Sequence, residues 1–309
     1  MKPGNDKVDP HYRPAKSPSH PPFLDTRAIL RRIEHSPIRK LGQNFLTDPN
    51  IIRKSLELAQ ITDKDLVVEI GPGLGTLTRA LLQQGATVQA VEKDPTLAQW
   101  LRDDLCPQYP DTFHLIEGDA LDFPSAGLGD QADYKIVANL PYAISTPWIE
   151  RVLALPNLPS VMVLMLQKET ADRFAASSGT KHFSAITILL QMAYTFAPGH
   201  RVSARCFHPV PKVDSYLLPL RQKAEPVFFD EDQKNLLRQV FTQRRKQLGG
   251  LLRKLVPQIP ANEWESFLRK QGFSQQSRPE DLPPTIWVKL LRLRAESLSG
   301  GEPPPTANS

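Results

Sequence analysis

The sequence predicts an α/β fold with a small all-helical domain at its C-terminal end, and three observations carry that reading. An apolar strand, Leu66 to Ile70, runs into a glycine-rich turn and the start of a helix. Further strands at Thr87–Val91, Phe113–Glu117 and Tyr134–Ala138 alternate with helical patterns, the signature of β-α units. From about Lys223 onward the strand signal stops and helices with short turns take over. The chain therefore divides into a tail (1–25), an α/β domain (26–222), a helical domain (223–296) and a second tail (297–309).

The central stretch is Asp65-Leu-Val-Val-Glu-Ile-Gly-Pro-Gly-Leu-Gly-Thr-Leu-Thr78. Gly71, Gly73 and Gly75 carry no side chain to hold a ligand away from the backbone. The helix N-terminus behind them favours anionic or polar ligand groups. Glu92 ends the next strand, where a carboxylate can accept both hydroxyls of a ribose. The spacing is G-x-G-x-G rather than the G-x-G-x-x-G of dinucleotide enzymes, and Glu-Ile precedes it. That points away from a nicotinamide oxidoreductase and towards S-adenosylmethionine. A purely structural strand-turn-helix is the alternative for this stretch alone.

Composition narrows the remaining classes. With 309 residues the chain has one or two domains and enough length for a substantial core. A net charge of +5 and a pI near 9.1 suit a polyanionic partner as well as they suit a slightly basic soluble enzyme. Cys106 and Cys206 have no CxxC spacing, and the seven histidines are scattered. Neither a disulfide framework nor a metal site is expected. No signal peptide is visible, and the longest apolar run, Val161 to Leu166, is too short to span a bilayer. A reducing cytoplasm is the expected location.

Taken in order, residues 1–25 are rich in Pro, Lys, His and Ser, show no periodicity and are expected to be disordered. A short helix follows behind Thr26 as its cap. The stretch Gly42-Gln-Asn-Phe-Leu46 precedes a helix from Pro49 to Gln60, with Asp48 as N-cap. Its amides, Gln43 and Asn44, suit either a lid over a ligand or a capped turn. A helix spans Asp94 to Leu105. Asp119, at the carboxyl end of the third strand, sits where open α/β sheets bind ligands. It can accept from an exocyclic adenine amine, or simply form a turn.

The fourth strand runs directly into Asn139-Leu-Pro-Tyr142. Pro141 fixes the backbone, which leaves the Asn139 amide oxygen and the Leu140 carbonyl free to face a cleft. Tyr142 adds an aromatic face. Two convergent acceptors beside a stacking surface are what the exocyclic amine of a flipped or unpaired base requires. A strand-to-helix turn capped near Ser145 or Thr146 is the bland alternative.

A helix from Pro147 to Leu155, a strand from Val161 to Leu166, a helix from Lys168 and an apolar element at Ile186–Met192 come next. Phe207-His-Pro-Val-Pro-Lys-Val-Asp-Ser215 reads as an ordered loop leading to a final strand at Tyr216–Leu220. Phe207 suits stacking on a base or ordinary packing, and Lys212 suits a phosphate contact. Phe241-Thr-Gln-Arg-Arg-Lys-Gln-Leu places Arg244, Arg245 and Lys246 on a helical pattern. They read as a phosphate-contacting face or a solvated helix. Helices around Trp264–Leu268 and Leu282–Leu293 complete the small domain, and the end from about Ser297 is expected to be disordered.

Together these stretches resemble the ribosomal RNA adenine dimethyltransferase family, over about residues 26 to 292. The likeness rests on Leu-Gly-Gln-Asn-Phe-Leu, the glycine turn, Glu92, Gly-Asp-Ala, Asn-Leu-Pro-Tyr, Phe-His-Pro-Val-Pro-Lys-Val-Asp-Ser and Phe-Thr-Gln-Arg-Arg-Lys-Gln-Leu, in that order. Arg278-Pro-Glu-Asp-Leu282 also fits. The branch it is most similar to is the bacterial one that dimethylates two adjacent adenines near the 3′ end of small-subunit rRNA. The resemblance implies a Rossmann-like methyltransferase domain, S-adenosyl-L-methionine as cofactor, the small-subunit rRNA as partner, and action as a monomer. It implies that Asn44 and Leu46 close over the cofactor, and that the Gly71 and Gly73 turn approaches its methionine part. Glu92 would take the ribose, Asp119 the adenine amine, and Asn139 would lie between cofactor and target. Tyr142 and Phe207 would sandwich the base. Two departures stand out: Ala143 where the family usually has a polar residue, and His182-Phe-Ser184 where a Tyr-Gly is common. A non-catalytic assembly or transcription factor on the same fold, and an enzyme of DNA or large-subunit rRNA, are the rival readings.

Overall fold

An aspartate opens the first helix. Asp25 accepts from the Ala28 amide, so α1 (Thr26–Arg32) starts on Asp25, and Thr26, expected as the cap, is instead its first, buried residue. The computed structural model describes residues 25–130 and 132–298. Of the tails expected to be disordered (1–25 and 297–309), residues 1–24 and 299–309 lie outside the described residues, whereas Asp25 caps α1 and residues 297–298 end the last helix.

The α/β part follows in order as β1 (Phe45–Leu46), α2 (Pro49–Ala59), β2 (Leu66–Ile70), α3 (Thr76–Gln83), β3 (Thr87–Glu92), α4 (Pro95–Asp104), β4 (Phe113–Glu117) and β5 (Lys135–Asn139). Then come α5 (Ser145–Val152), β6 (Val161–Gln167), α6 (Lys168–Phe174), α7 (Ala185–Ala193), β7 (Tyr194–Phe196), β8 (His200–Val202), β9 (Phe207–His208) and β10 (Ser215–Gln222). Asp48 caps α2 as the sequence predicts; Asp94, read there as the start of the next helix, caps α4, and each has proline at the first turn.

The main sheet runs β4-β3-β2-β5-β6-β10-β7, with β8 also paired to β10. Strands β4 to β6 are mutually parallel, and β10 runs antiparallel along all of β6, from Ser215 opposite Gln167 to Arg221 opposite Val161. Such burial on both faces explains the continuous apolar character of Leu66–Ile70 and Val161–Leu166. Strand order reverses between β2 and β5. At such a switch point the loops leaving neighbouring strands diverge and open a crevice at their carboxyl ends. Gly71 and Asn139 therefore come to face the same space.

Two local expectations are corrected. The Phe207–Ser215 segment is not all loop: Phe207 and His208 pair antiparallel with Leu46 and Phe45. The basic cluster is not on a helix: α8 (Glu231–Thr242) stops before it, and Arg244, Arg245 and Lys246 form the turn before α9 (Leu248–Leu255). A continuous helix would put Arg244 on the buried stripe of Val240, Phe241 and Leu248. The turn instead sends its guanidinium to the Lys181 carbonyl and within 3.8 Å of Glu280.

The chain ends in α10 (Ala261–Lys270) and α11 (Pro284–Leu298). The apolar faces of α8 to α11 join the same buried cluster as β6, α5 and α7. Phe241 bridges the two parts, with ring centroids 5.9 Å from Phe183 and 5.7 Å from Trp287.

Candidate active site

A cleft opens at the carboxyl ends of β2, β3 and β5, roofed by residues 40–46. It encloses about 1120 Å³ including its open mouth. Asn44, Leu46, Gly71, Gly73, Glu92, Asp119, Asn139, Leu140 and Tyr142 all line it, which brings together the expected cofactor and base-contacting residues except Phe207.

The floor is the glycine turn. Gly71, Gly73 and Gly75 have φ of 67°, 61° and 80°, a conformation costly for any other residue. A Cβ on Gly73 would lie 3.1 Å from the Phe45 ring, so the turn and the roof are packed against each other. The Gly73 amide donates to Glu92 Oε2 at 3.0 Å, and the Asp94 amide to Oε1 at 2.9 Å. Both oxygens of Glu92 are thereby held in place, each with acceptor capacity left over. Burial pushes its carboxyl above the usual range, and these amides pull it back in part.

Glu69 was given no role from the sequence beyond marking the motif. It is 2% exposed, and its Oε2 has no hydrogen-bond partner among the described residues. Burial pushes its carboxyl up to about 8, against a lowering contribution from Thr78. It lines the cleft beneath the turn. Its place in Glu-Ile ahead of the first glycine marked the motif but gave no sign of its burial.

The roof is cross-linked to the sheet. Gln43 Oε1 accepts from the Ile38 amide at 2.7 Å and from His35 Nε2 at 3.1 Å, and Gln43 Nε2 donates to Asp94 Oδ2 at 2.7 Å. Of the two sequence readings for Gln43, this is the capped turn. The Asn44 side chain also bonds locally, to the Gly42 carbonyl at 3.0 Å, while its main-chain carbonyl accepts from Asn139 Nδ2 at 2.9 Å. With its amide nitrogen engaged there, Asn139 has its amide oxygen without a partner among the described residues. Leu140 is buried at the cleft wall. Tyr142 is half-buried and its hydroxyl meets Ser215 Oγ at 2.7 Å. Burial raises the Tyr142 phenol above its usual range, offset in part by Ser215.

Asp119 stands at the outer edge. Its Oδ1 accepts from the Leu121 amide at 2.9 Å and its Oδ2 from Lys93 Nζ at 2.5 Å. The lysine contact holds its carboxyl below the usual range. Both readings of Asp119 meet here: it forms the turn, and it remains a cleft-lining acceptor. Phe207 is not brought to the cleft. It is 2% exposed and lies behind Leu46, its strand partner, in the core beneath the roof. Lys212 is exposed in the loop after β9. Arg245 and Lys246 are exposed, whereas Arg244 is held by Lys181 and Glu280.

Comparison with known proteins places this geometry. The family model for ribosomal RNA adenine dimethylase matches residues 35–283. The chain belongs to that family. Among relatives, "Ribosomal RNA small subunit methyltransferase A" of Opitutus terrae is 57% identical over 267 residues, covering 86% of this chain and 96% of the relative. The protein of the same name in Clostridium acetobutylicum is 36% identical over 272 residues, covering 86% and 97%. Among solved structures, a dimethyladenosine transferase from Plasmodium falciparum matches with a TM-score of 0.71 and 26% identity, over 82% of this chain and 98% of that one. The 23S rRNA methyltransferase ErmE matches with a TM-score of 0.62 and 27% identity, over 81% and 98%. As a family member the chain is a methyltransferase with a Rossmann-like domain that uses S-adenosylmethionine.

The residues present fit that cofactor. The side-chain-free turn leaves room against the backbone, and both Glu92 oxygens are pre-oriented with acceptor capacity left over. Among the described residues there is no group of three or more His, Cys, Asp or Glu arranged for a metal, and no helix is long and apolar enough to cross a membrane.

Proposed function

We propose that the protein dimethylates N6 of two adjacent adenosines near the 3′ end of small-subunit rRNA during subunit biogenesis. It acts in the cytoplasm, as a monomer and without a metal. The observation that supports the reading is the Asn139–Asn44 bond, which engages the Asn139 amide nitrogen and leaves its oxygen free to accept, on a residue that lines the cleft beside Leu140.

Bound S-adenosylmethionine supplies an electrophilic methyl group. The chain's part is positioning. The N6 lone pair of adenine is delocalised into the ring and is a weak nucleophile. Hydrogen bonds from N6 to the Asn139 oxygen and the Leu140 carbonyl favour a pyramidal nitrogen with its lone pair aimed along one direction. No strong base is required, because N6 becomes acidic as it gains the methyl and its proton leaves to water. Tyr142 offers the stacking face. Glu92 and Asp119 would hold the cofactor's ribose and adenine, with Gly71, Gly73, Asn44 and Leu46 around its remainder. Lys212, Arg245 and Lys246 contact phosphates. Arg244, tied to Glu280, orients that turn and adds its charge to it.

Methyl transfer to under-methylated small ribosomal subunits, read by nucleoside mass spectrometry, tests this. N6,N6-dimethyladenosine at adjacent 3′-end adenines, lost with Asn139→Ala, supports the reading. Tight binding without transfer would return the chain to an assembly factor. A large-subunit substrate is the second reading, favoured by the likeness to a 23S rRNA methyltransferase. The higher identity to proteins named for the small subunit weighs against it.

A further inference from the structure

A second recess lies outside the cleft, between α1, the turn at 34–37 and β9. Arg27, Arg31 and His208 surround it, with the Glu34 carboxylate and Leu30; His35 also lines it, but its ring is buried and its Nε2 is held by Gln43 and lies 3.4 Å from Asp94. Arg27 and Arg31 are one helical turn apart, share a face and are exposed. Neither forms an ion pair among the described residues.

Helix stability explains only one of them. Arg31 stands in the last turn of α1, where a cation is favoured by the helix dipole. Arg27 stands in the first turn, where the free amides are already positive and a cation is disfavoured. Asp25, the N-cap, already supplies a carboxylate to those amides, and Arg27 is left without an ion pair among the described residues. The recess also shares a wall with the cleft: His35 Nε2 meets Gln43 Oε1 at 3.1 Å, and His208 pairs with Phe45. Both Gln43 and Phe45 line the cleft.

We propose that this recess is a phosphate-binding site, holding a backbone phosphate of the RNA close to the target adenine. It rests on the reading of the cleft as a site of RNA adenine methylation. Arginine forks match phosphate oxygens, and such contacts fix the register of a nucleic acid without reading its sequence. With one phosphate in the recess and others at the 244–246 turn, the RNA is held at two separate places.

The test uses the full chain carrying Arg27→Gln and Arg31→Gln together. Binding to under-methylated small subunits is measured across a salt series, and S-adenosylmethionine binding by titration. The expected result is binding weaker by about tenfold near 0.1 M salt, with the slope of log K against log salt shallower by about one. Cofactor affinity and melting temperature stay as in the wild type, and the Arg27→Lys, Arg31→Lys pair recovers the slope. Wild-type affinity and slope in the glutamine pair, while Arg245→Gln with Lys246→Gln lowers both, would overturn the proposal and leave the recess a solvated helix face. Wild-type protein that binds no subunits at any salt would overturn the underlying substrate reading and the proposal with it.

Discussion

Asn139 Nδ2 donates to the main-chain carbonyl of Asn44 at 2.9 Å, across 95 residues of chain. The bond joins the end of β5 to the roof of the cleft and decides which end of the Asn139 amide is left free: the oxygen. A donor there would repel the N6 hydrogens of adenine, whereas the oxygen accepts them.

Asn139→Ala removes that acceptor and is expected to lower methyl transfer by about 10²- to 10³-fold, the usual cost of losing one preorganised group. Cofactor affinity should stay within a few-fold, because Glu92 and the glycine turn keep their own bonds. Asn139→Asp retains an oxygen but sets a carboxylate against the Asn44 carbonyl, so it should be no better than alanine. Single-turnover transfer and cofactor titration on the same preparations separate the two effects.

The Tyr142 hydroxyl and Ser215 Oγ lie 2.7 Å apart, and Ser215 is fully buried. Ser215 thus holds the ring that would stack on the base. Tyr142→Phe and Ser215→Ala break the same bond and should show similar, partial losses of transfer. Tyr142→Ala also removes the face, at about 1–3 kcal/mol for a stacked base, and should raise KM for RNA further. Additive losses in the Tyr142→Phe, Ser215→Ala double variant would contradict a shared role.

Gly73 combines a φ of 61° with the Phe45 ring 3.1 Å from where a Cβ would stand. Gly73→Ala strains the backbone by about 1–3 kcal/mol and presses on the roof. The expected outcome is cofactor binding weakened by tenfold or more, with partial recovery when Phe45→Leu is added to make space. Titration calorimetry of the single and double variants is the check.

Glu69 gives a pH dependence with a definite sign. Its carboxyl ionises at about 8 in the folded protein against 4.5 as its ordinary value. Between those values the folded state holds a proton that the unfolded state has released. This contribution to stability is therefore complete below the lower value and is lost as pH rises through the upper one. Glu69→Gln cannot ionise, so its melting temperature should fall less than that of the wild type from pH 5 to pH 8. Parallel pH slopes in the two proteins would show that Glu69 is already ionised.

The parts of the site legible in the sequence were those set by local backbone chemistry. A glycine turn after an apolar strand, Glu92 at the end of the next strand and Asn-Leu-Pro-Tyr at a third each declare themselves within a few residues. Their meeting follows from the switch point between β2 and β5. What stayed hidden depends on distant pairing. The Gln43–Asp94 and Tyr142–Ser215 bonds join residues 51 and 73 positions apart. The two-residue pairing of Phe45–Leu46 with Phe207–His208 is too short to leave a period-2 signal. The break before Arg244 was hidden for the opposite reason: the apolar spacing continues through it, and only the burial of the stripe forbids an arginine there.

That short pairing bears on Phe207. Its ring is 2% exposed and packs in the same cluster as Leu46, Leu217 and Val163, while Leu46 and not Phe207 lines the cleft. To stack on a base it would have to leave this core, exposing the cavity it fills. Phe207→Ala should therefore cost about 3–5 kcal/mol of stability, as large-to-small core substitutions do. Phe207→Leu keeps most of the volume and should cost less than about 1.5 kcal/mol. Denaturant unfolding gives both figures, and transfer assays on the leucine variant separate packing from stacking. If Phe207 acts only as packing, the leucine variant transfers methyl groups at near wild-type rates with an unchanged KM for RNA. A stable leucine variant with a KM raised tenfold or more would mean that the ring leaves the core to reach the base, and that the β1–β9 pair opens when RNA binds.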